Sequence, residues 1–181
     1  MTPKEIRAVL SSMTVMVDSR EQDTARARWR YASIGLPVER CTLDYGDYSY
    51  NATLPNGRRI YDIAERVRPT VSIERKMNLD ELTECFGAGR ERFEREFTRS
   101  KEAGAQMWLM VEGGSWENIY DHRYRSRMTP ASLAGSILAF CGRYDLRLVF
   151  CTERTAGRII RGILERNLAD RLKAGDFNGT Y

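Results

Sequence analysis

Thr70-Val71-Ser72-Ile73-Glu74-Arg75-Lys76 is the stretch from which the fold can be read. Its first half is β-branched and apolar, and Pro69 punctuates it, so it predicts a strand that ends in charge. Side chains two apart on a strand share a face, which puts Glu74 and Lys76 side by side. Upstream, Met13 to Val17 is a second apolar run that ends at Asp18-Ser19-Arg20-Glu21. Downstream, Gln106 to Val111 and Leu146 to Cys151 read as further strands.

Between these strands the pattern turns helical. Thr24 to Ile34 predicts a helix stopped by Gly35-Leu36-Pro37. A long charged helix capped by Asn78 or Asp80 runs to about Ala103, broken or kinked near Gly87 and Gly89. Thr129-Pro130 opens a helix that ends near Gly142, and Thr152 caps a last helix to about Lys173. Ile159, Ile160, Ile163, Leu164, Leu168 and Leu172 form an apolar stripe on that last helix, suited to packing on a sheet or pairing with a second copy. Val38 to Leu43 and Tyr48 to Leu54 are extended on either side of a bend at Asp44-Tyr45-Gly46-Asp47. Pro55-Asn56-Gly57 predicts a type I′ hairpin with a returning strand over Arg59 to Ile63. No repeat, low-complexity stretch or linker divides the chain. Residues 1–181 read as one α/β domain with helices on both sides of a mixed sheet.

Composition narrows the function. The 181 residues suffice to bury a core without a metal or disulfide staple. Cys41, Cys85, Cys141 and Cys151 show no paired spacing and read as reduced thiols of a cytoplasmic protein. His122 is the single histidine, so neither a zinc site nor a Ser-His-Asp triad is favoured. No apolar run reaches a membrane span or a secretory signal, and Gly113-Gly114 is too short for a nucleotide phosphate loop. Net charge is +4, and the basic excess lies late in the chain: Tyr120 to Lys173 holds 11 basic and 5 acidic side chains. One face therefore suits a polyanion while another, acidic face suits cations.

The acidic spots are Asp18, Glu21, Asp47 and Glu74 at strand ends, with Lys76 beside Glu74. Carboxylate oxygens are what a hard divalent cation needs, and a neighbouring lysine can orient water and offset developing charge. In order, the chain presents Val17-Asp18-Ser19-Arg20-Glu21, Gly46-Asp47-Tyr48, Ile73-Glu74-Arg75-Lys76, Asp80 within Leu79 to Leu82, and Gly89-Arg90. This series resembles the signature of XPF-type structure-specific endonucleases, over about residues 13–112, and the compact chain looks like standalone versions from bacteriophages and prophages.

The resemblance implies a restriction-endonuclease-like core with extra helices after it, and Mg²⁺- or Mn²⁺-dependent cleavage of branched, flapped or single-strand-containing DNA. It implies Asp47 and Glu74 as principal metal ligands, with Asp18 and Glu21 completing the cluster and Asp18 joining the ligand set. Lys76 would activate water, Arg20 and Arg75 would hold the network or meet phosphate, Asp80 would position a helix start, and Arg90 would reach DNA or the acids. The resemblance also suggests a symmetric homodimer built from elements after residue 129. Two departures stand out. The stretch from Tyr48 to Ile73 is long, and nothing after the nuclease core resembles a paired helix-hairpin-helix module, residues 152–173 offering one amphipathic helix.

Tyr120 to Arg127 supplies a second expectation: Arg123, Arg125 and Arg127 on phosphates, with Tyr124 stacked on an unpaired base. Two other readings remain open, a junction resolvase acting as a symmetric dimer and a non-catalytic DNA-binding scaffold subunit.

Overall fold

The computed structural model describes residues 1–177. A six-stranded sheet forms its centre: β1 Thr14–Asp18, β2 Val38–Cys41, β3 Tyr48–Asn51, β4 Val71–Lys76, β5 Gln106–Glu112 and β6 Arg147–Cys151. The strand order is β2-β1-β3-β4-β5-β6. β1 with β2, β4 with β5 and β5 with β6 pair in parallel, whereas β3 runs antiparallel to both its neighbours. That reversal decides where the chemistry sits. The start of β3 meets the ends of β1 and β4, so Asp18, Asp47, Glu74, Lys76 and Glu112 gather at one edge of the sheet.

The helices are α1 Pro3–Ser11, α2 Ala25–Ile34, α3 Leu79–Phe86, α4 Arg90–Glu102, α5 Trp116–Tyr120, α6 Pro130–Tyr144 and α7 Glu153–Ala174. Residues from α1, α2 and α7 join Val15, Val17, Tyr48, Tyr50, Val71, Ile73 and Met110 in one core. Residues from α3, α4, α5 and α6 join Met107, Leu109 and Val111 in the other. Alternation along β5 feeds both layers, whereas β4 gives Val71 and Ile73 to the first and turns Ser72, Glu74 and Lys76 to the other face, as the period of two requires. The mixed sheet between two helical layers matches the expected α/β architecture. Ile160, Leu164, Leu168 and Leu172 of the α7 stripe are buried on the sheet, with Ile159 and Ile163 half-buried beside them. That stripe is therefore already covered within one copy of the chain. Among the described residues no helix is long and apolar enough to cross a membrane. All four cysteines are free.

Two local expectations differ and a third holds. Asn56-Gly57 does not form a type I′ turn, because only Gly57 takes positive φ. Proline at 55 fixes a turn closed by Gly57 N–H to the Leu54 carbonyl, with glycine as the left-handed residue after it. The returning strand shrinks to one bridge, Thr53 to Arg59. The long charged helix does break at Gly87–Gly89, giving α3 and α4, and α3 is capped by Asn78, whose side chain accepts from Glu81 N–H.

Candidate active site

Gly46 sets the position of Asp47. Its φ is +72°, and a Cβ there would lie 2.1 Å from Ser72 Oγ, so the bend before β3 can press against β4 only with glycine. Asp47 N–H donates to the Ile73 carbonyl at 2.8 Å, and its Oδ2 accepts from Arg75 N–H at 2.8 Å. Asp47 is thus clamped beside Glu74 by backbone geometry on both sides.

Alternation along β4 sorts the charges. Glu74 and Lys76 face α3 and α4, with Lys76 Nζ 2.5 Å from Glu74 Oε1 and 5.0 Å from the centre of the Phe93 ring. Arg75 faces α2, where its guanidinium bonds Glu112 at 2.7 and 3.0 Å. Glu96 of α4 completes the acidic side; its Oε1 accepts from Gly46 N–H at 2.6 Å. A cavity of about 170 Å³ is lined by Arg20, Asp47, Glu74, Lys76, Arg92 and Glu96, among others. It shares Glu74, Lys76, Glu81, Arg92 and Glu96 with a larger cleft of about 480 Å³ lined by α3 and α4.

The electrostatics are those of anions short of cations. Burial pushes the Asp47 carboxyl well above its ordinary value, and the neighbouring Glu74 charge adds to the rise. Burial also lifts Glu74 to about 7; Lys76 works against the rise and Glu96 with it. Burial opposes the charge on Lys76, but Glu74, Cys85 and Asp47 outweigh it and hold the ammonium well above its usual range. Lys76 is thus a fixed cation near neutral pH.

The model matching residues 17–158 is that of the ERCC4 domain. The chain belongs to the ERCC4 domain family. Among solved structures it is similar to XPF from Aeropyrum pernix, at 22% identity and TM-score 0.58, covering 85% of this chain and 61% of that one. A second structure of XPF from Aeropyrum pernix, in complex with DNA, matches at 22% identity and TM-score 0.59, covering 92% and 74%. No curated protein matches the chain in sequence. The ERCC4 domain here thus shares its fold with the XPF nuclease domain and spans less than two-thirds of the first of these chains.

Within this ERCC4 domain not every expected residue stands where its role would need it. Asp18 is buried and its carboxylate is fully engaged: Oδ1 accepts from Arg20 N–H and Nε at 2.8 and 2.6 Å, and Oδ2 from Leu43 N–H at 2.8 Å and Arg20 Nη2 at 3.3 Å. It does not line the cavity, and its geometry is that of an anchor for Arg20. Glu21 lines the cavity, yet its Oε1 accepts from Arg30 Nη1 at 3.2 Å and the Tyr48 hydroxyl at 3.0 Å. Arg90 was expected near the acids or DNA; it instead pairs with Glu94 at 3.1 Å and lies over the Phe140 ring, and Arg92 is the arginine of the cleft.

Asp80 holds the 120s loop rather than a helix start, accepting from Arg125 N–H at 2.6 Å and Nε at 3.1 Å. In that loop Tyr124 is half-buried, its hydroxyl donates to the Met128 carbonyl at 2.9 Å, and its ring lies 4.4 Å from that of His122. That geometry packs the Tyr124 ring within the loop, while Arg123, Arg125 and Arg127 are all exposed, Arg125 tied at its base to Asp80.

Two residues of the site had no place in the sequence reading. Glu96 sat in an Arg/Glu alternation that reads as i,i+4 pairing. Glu112, fully buried, takes Arg75, Arg30 and Arg26 at once.

The family implies a divalent metal, and the donor chemistry fits one. Asp47, Glu74 and Glu96 offer oxygens only, none is paired with an arginine side chain among the described residues, and the titration of buried Glu74 and half-buried Asp47 is raised. Among the described residues no three such side chains converge tightly enough to grip an ion as they stand; Lys76 occupies the Glu74 oxygen where one would bind.

Proposed function

We propose that this ERCC4 domain is a Mg²⁺- or Mn²⁺-dependent endodeoxyribonuclease acting on branched, flapped or single-strand-containing DNA. The observation that carries the reading is the convergence of Asp47, Glu74, Glu96 and Lys76 in one cleft, with Arg20 and Arg92 at its rim. The archaeal relative with DNA supports nucleic acid as the partner.

Asp47, Glu74 and Glu96 would hold the cation. When bound, a divalent cation lowers the pKa of a bound water and stabilises the charge that develops on the scissile phosphate. Lys76 stays protonated, so it orients the attacking oxygen and offsets negative charge rather than taking the proton itself. Arg20 and Arg92 present guanidinium donors to phosphate oxygens. Arg75, through its backbone N–H, fixes the Asp47 oxygen. A scaffold subunit would have no physical need for carboxylates buried without arginines, which disfavours the non-catalytic reading. The resolvase reading needs two sites in a symmetric dimer, and the α7 stripe that would suit such pairing is covered by the sheet.

Purified protein incubated with labelled flap, fork, four-way junction and single-stranded DNA tests the proposal. Cleavage with Mg²⁺ or Mn²⁺, abolished by chelator, is expected. Intact DNA of every form with either metal refutes it.

A further inference from the structure

The long stretch between β3 and β4 returns to the site through one short pairing. Val67 forms a parallel bridge with Leu43, its N–H donating to the Thr42 carbonyl at 2.8 Å while Asp44 N–H donates to the Val67 carbonyl at 2.9 Å. In extended chain, alternate side chains part to opposite sides. Val67 goes into a small core with Met16, Cys41 and Leu43. Arg66 and Arg68 stay out, and both reach Asp44, at 3.5 Å to Oδ1 and 3.0 Å to Oδ2. From the other side Arg99 of α4 donates to the Asp44 carbonyl at 3.0 and 3.3 Å.

One buried carboxylate therefore organises three guanidiniums. The Asp44 side chain is 8% exposed, while Arg66 is 62%, Arg68 75% and Arg99 39% exposed. One anion under three cations leaves a net excess of positive charge at the surface. Ion pairs this exposed stabilise little, so fold stability does not account for the arrangement. The arginines are instead held in place beforehand, which lowers the entropy cost of meeting a ligand.

The cluster is continuous with the cleft. Arg20 Nη2 reaches the Leu43 carbonyl at 3.4 Å, one residue before Asp44. On α4, Arg92 lines the cleft, Glu96 holds Gly46, and Arg99 meets Asp44. Seven residues of helix separate Arg92 from Arg99, an axial rise of ~10 Å, or about three nucleotide steps at 3.4 Å per strand.

We propose that Arg66, Arg68 and Arg99, fanned around Asp44, form a phosphate track that receives the DNA backbone leaving the cleavage cleft. The long insertion thus serves as a DNA-positioning element. The inference rests on the nuclease reading for what the cleft does, but not for its test.

The test is binding without cleavage. A short fluorescent duplex is titrated in chelator across a salt series with wild type and with the double variant Arg66→Gln/Arg68→Gln, whose amides can still donate to Asp44. Each neutralised phosphate contributes ~0.9 to the slope of log K against log salt on duplex DNA, so the variant's slope should be shallower by about 1.8. The loss should be equal for unrelated sequences, because phosphate contacts carry no base information. An unchanged slope overturns the proposal. A readout on the unmutated protein stands beside it: modification by phenylglyoxal, read by mass spectrometry, should fall at Arg66 and Arg68 on saturation with duplex. Equal modification with and without DNA overturns it even where the variant fails to fold. A changed slope in a protein that cleaves nothing would keep the track and remove the nuclease reading; an unchanged slope in an active enzyme would do the reverse.

Discussion

Glu112→Gln is the sharpest test of how the site is held. Glu112 is fully buried and accepts four charge-assisted hydrogen bonds: 2.7 and 3.0 Å from Arg75, 3.1 Å from Arg30 and 3.0 Å from Arg26. Glutamine fills the same volume but carries no charge, and its amide nitrogen sets donors against donors. Arg30 and Arg75, 2% and 9% exposed, then keep only the half-buried Glu21, at 3.2 and 3.5 Å, between them. Removing one partner of a buried ion pair costs about 3–5 kcal/mol, a large part of the ~5–15 kcal/mol that holds a domain together. At roughly 2–4 °C per kcal/mol for a chain of this size, the melting temperature should fall by about 6–20 °C. Acid supplies a second signature. Burial pushes the Glu112 carboxyl up, but the hydrogen bonds from Arg75 and the charges of Arg75, Arg30 and Arg26 more than reverse this, leaving it below its ordinary 4.5. A depressed folded pKa means the unfolded chain takes the proton first as pH falls. The contribution is therefore complete above about pH 4.5 and is lost as pH drops through the folded value. Urea unfolding of both proteins should give a constant gap at neutral pH that narrows in acid. A cost below about 1 kcal/mol, or a gap that widens in acid, would refute the reasoning.

Asp47→Asn and Glu74→Gln should each abolish metal-supported cleavage while circular dichroism and duplex binding persist; a wild-type rate in either removes it from the ligand set. Lys76→Ala should slow single-turnover cleavage by on the order of 10² or more, the usual cost of losing a fixed electrostatic group. Gly46→Ala places a Cβ against Ser72 at positive φ, so chemical denaturation should register a loss of at least about 2 kcal/mol, strain and overpacking combined. Its cleavage should fail along with the position of Asp47. Arg123→Ala with Arg127→Ala should flatten the salt slope on duplex by up to about 1.8; no change would make the 120s loop a solvated turn.

What the sequence disclosed and what it hid follow from how local each signal is. Val71 to Lys76 announced itself because a strand's period lies within its own residues. Asp47 and Glu74 were legible through motif order. Glu96 was not, because Arg92, Arg95 and Arg99 around it make a self-sufficient ion-pairing pattern, and only the contact with Gly46, 50 residues away, separates it from its neighbours. Glu112 follows the apolar run Gln106 to Val111 with no local partner to mark it; its partners Arg75 and Arg30 lie 37 and 82 residues off. Arg90 stands away from the acids because the helix phase that brings Arg92 into the cleft carries Arg90 round to Glu94 and Phe140. Thr2 and Glu5 form a capping box on α1, a signal present in the sequence and passed over in so short a segment.

The carboxylates of the domain divide into two populations, and the division explains which ones work. Asp18 has Arg20, Asp44 has Arg66, Arg68 and Arg99, Glu21 has Arg30, and Glu112 has three arginines. These are framework anions. Among the described residues Asp47, Glu74 and Glu96 form no ion pair with an arginine side chain, and the one cation bonded to any of them is Lys76, on Glu74. A chain that places arginines so freely had the means to pair them; leaving buried anions without them raises the free energy of the folded state. β4 enforces the division within three residues. Its alternation sends Arg75 to the framework face with Glu112 and sends Glu74 and Lys76 to the cleft, so the cation closest in sequence to the acidic cluster is directed away from it. A register slip of one residue would exchange the two populations, bringing Arg75 into the cleft to quench the charge a metal would need. The stability forgone at Asp47 and Glu74 is thus a condition of the chemistry proposed for them, and the arginine framework on the opposite face is what lets the fold tolerate it.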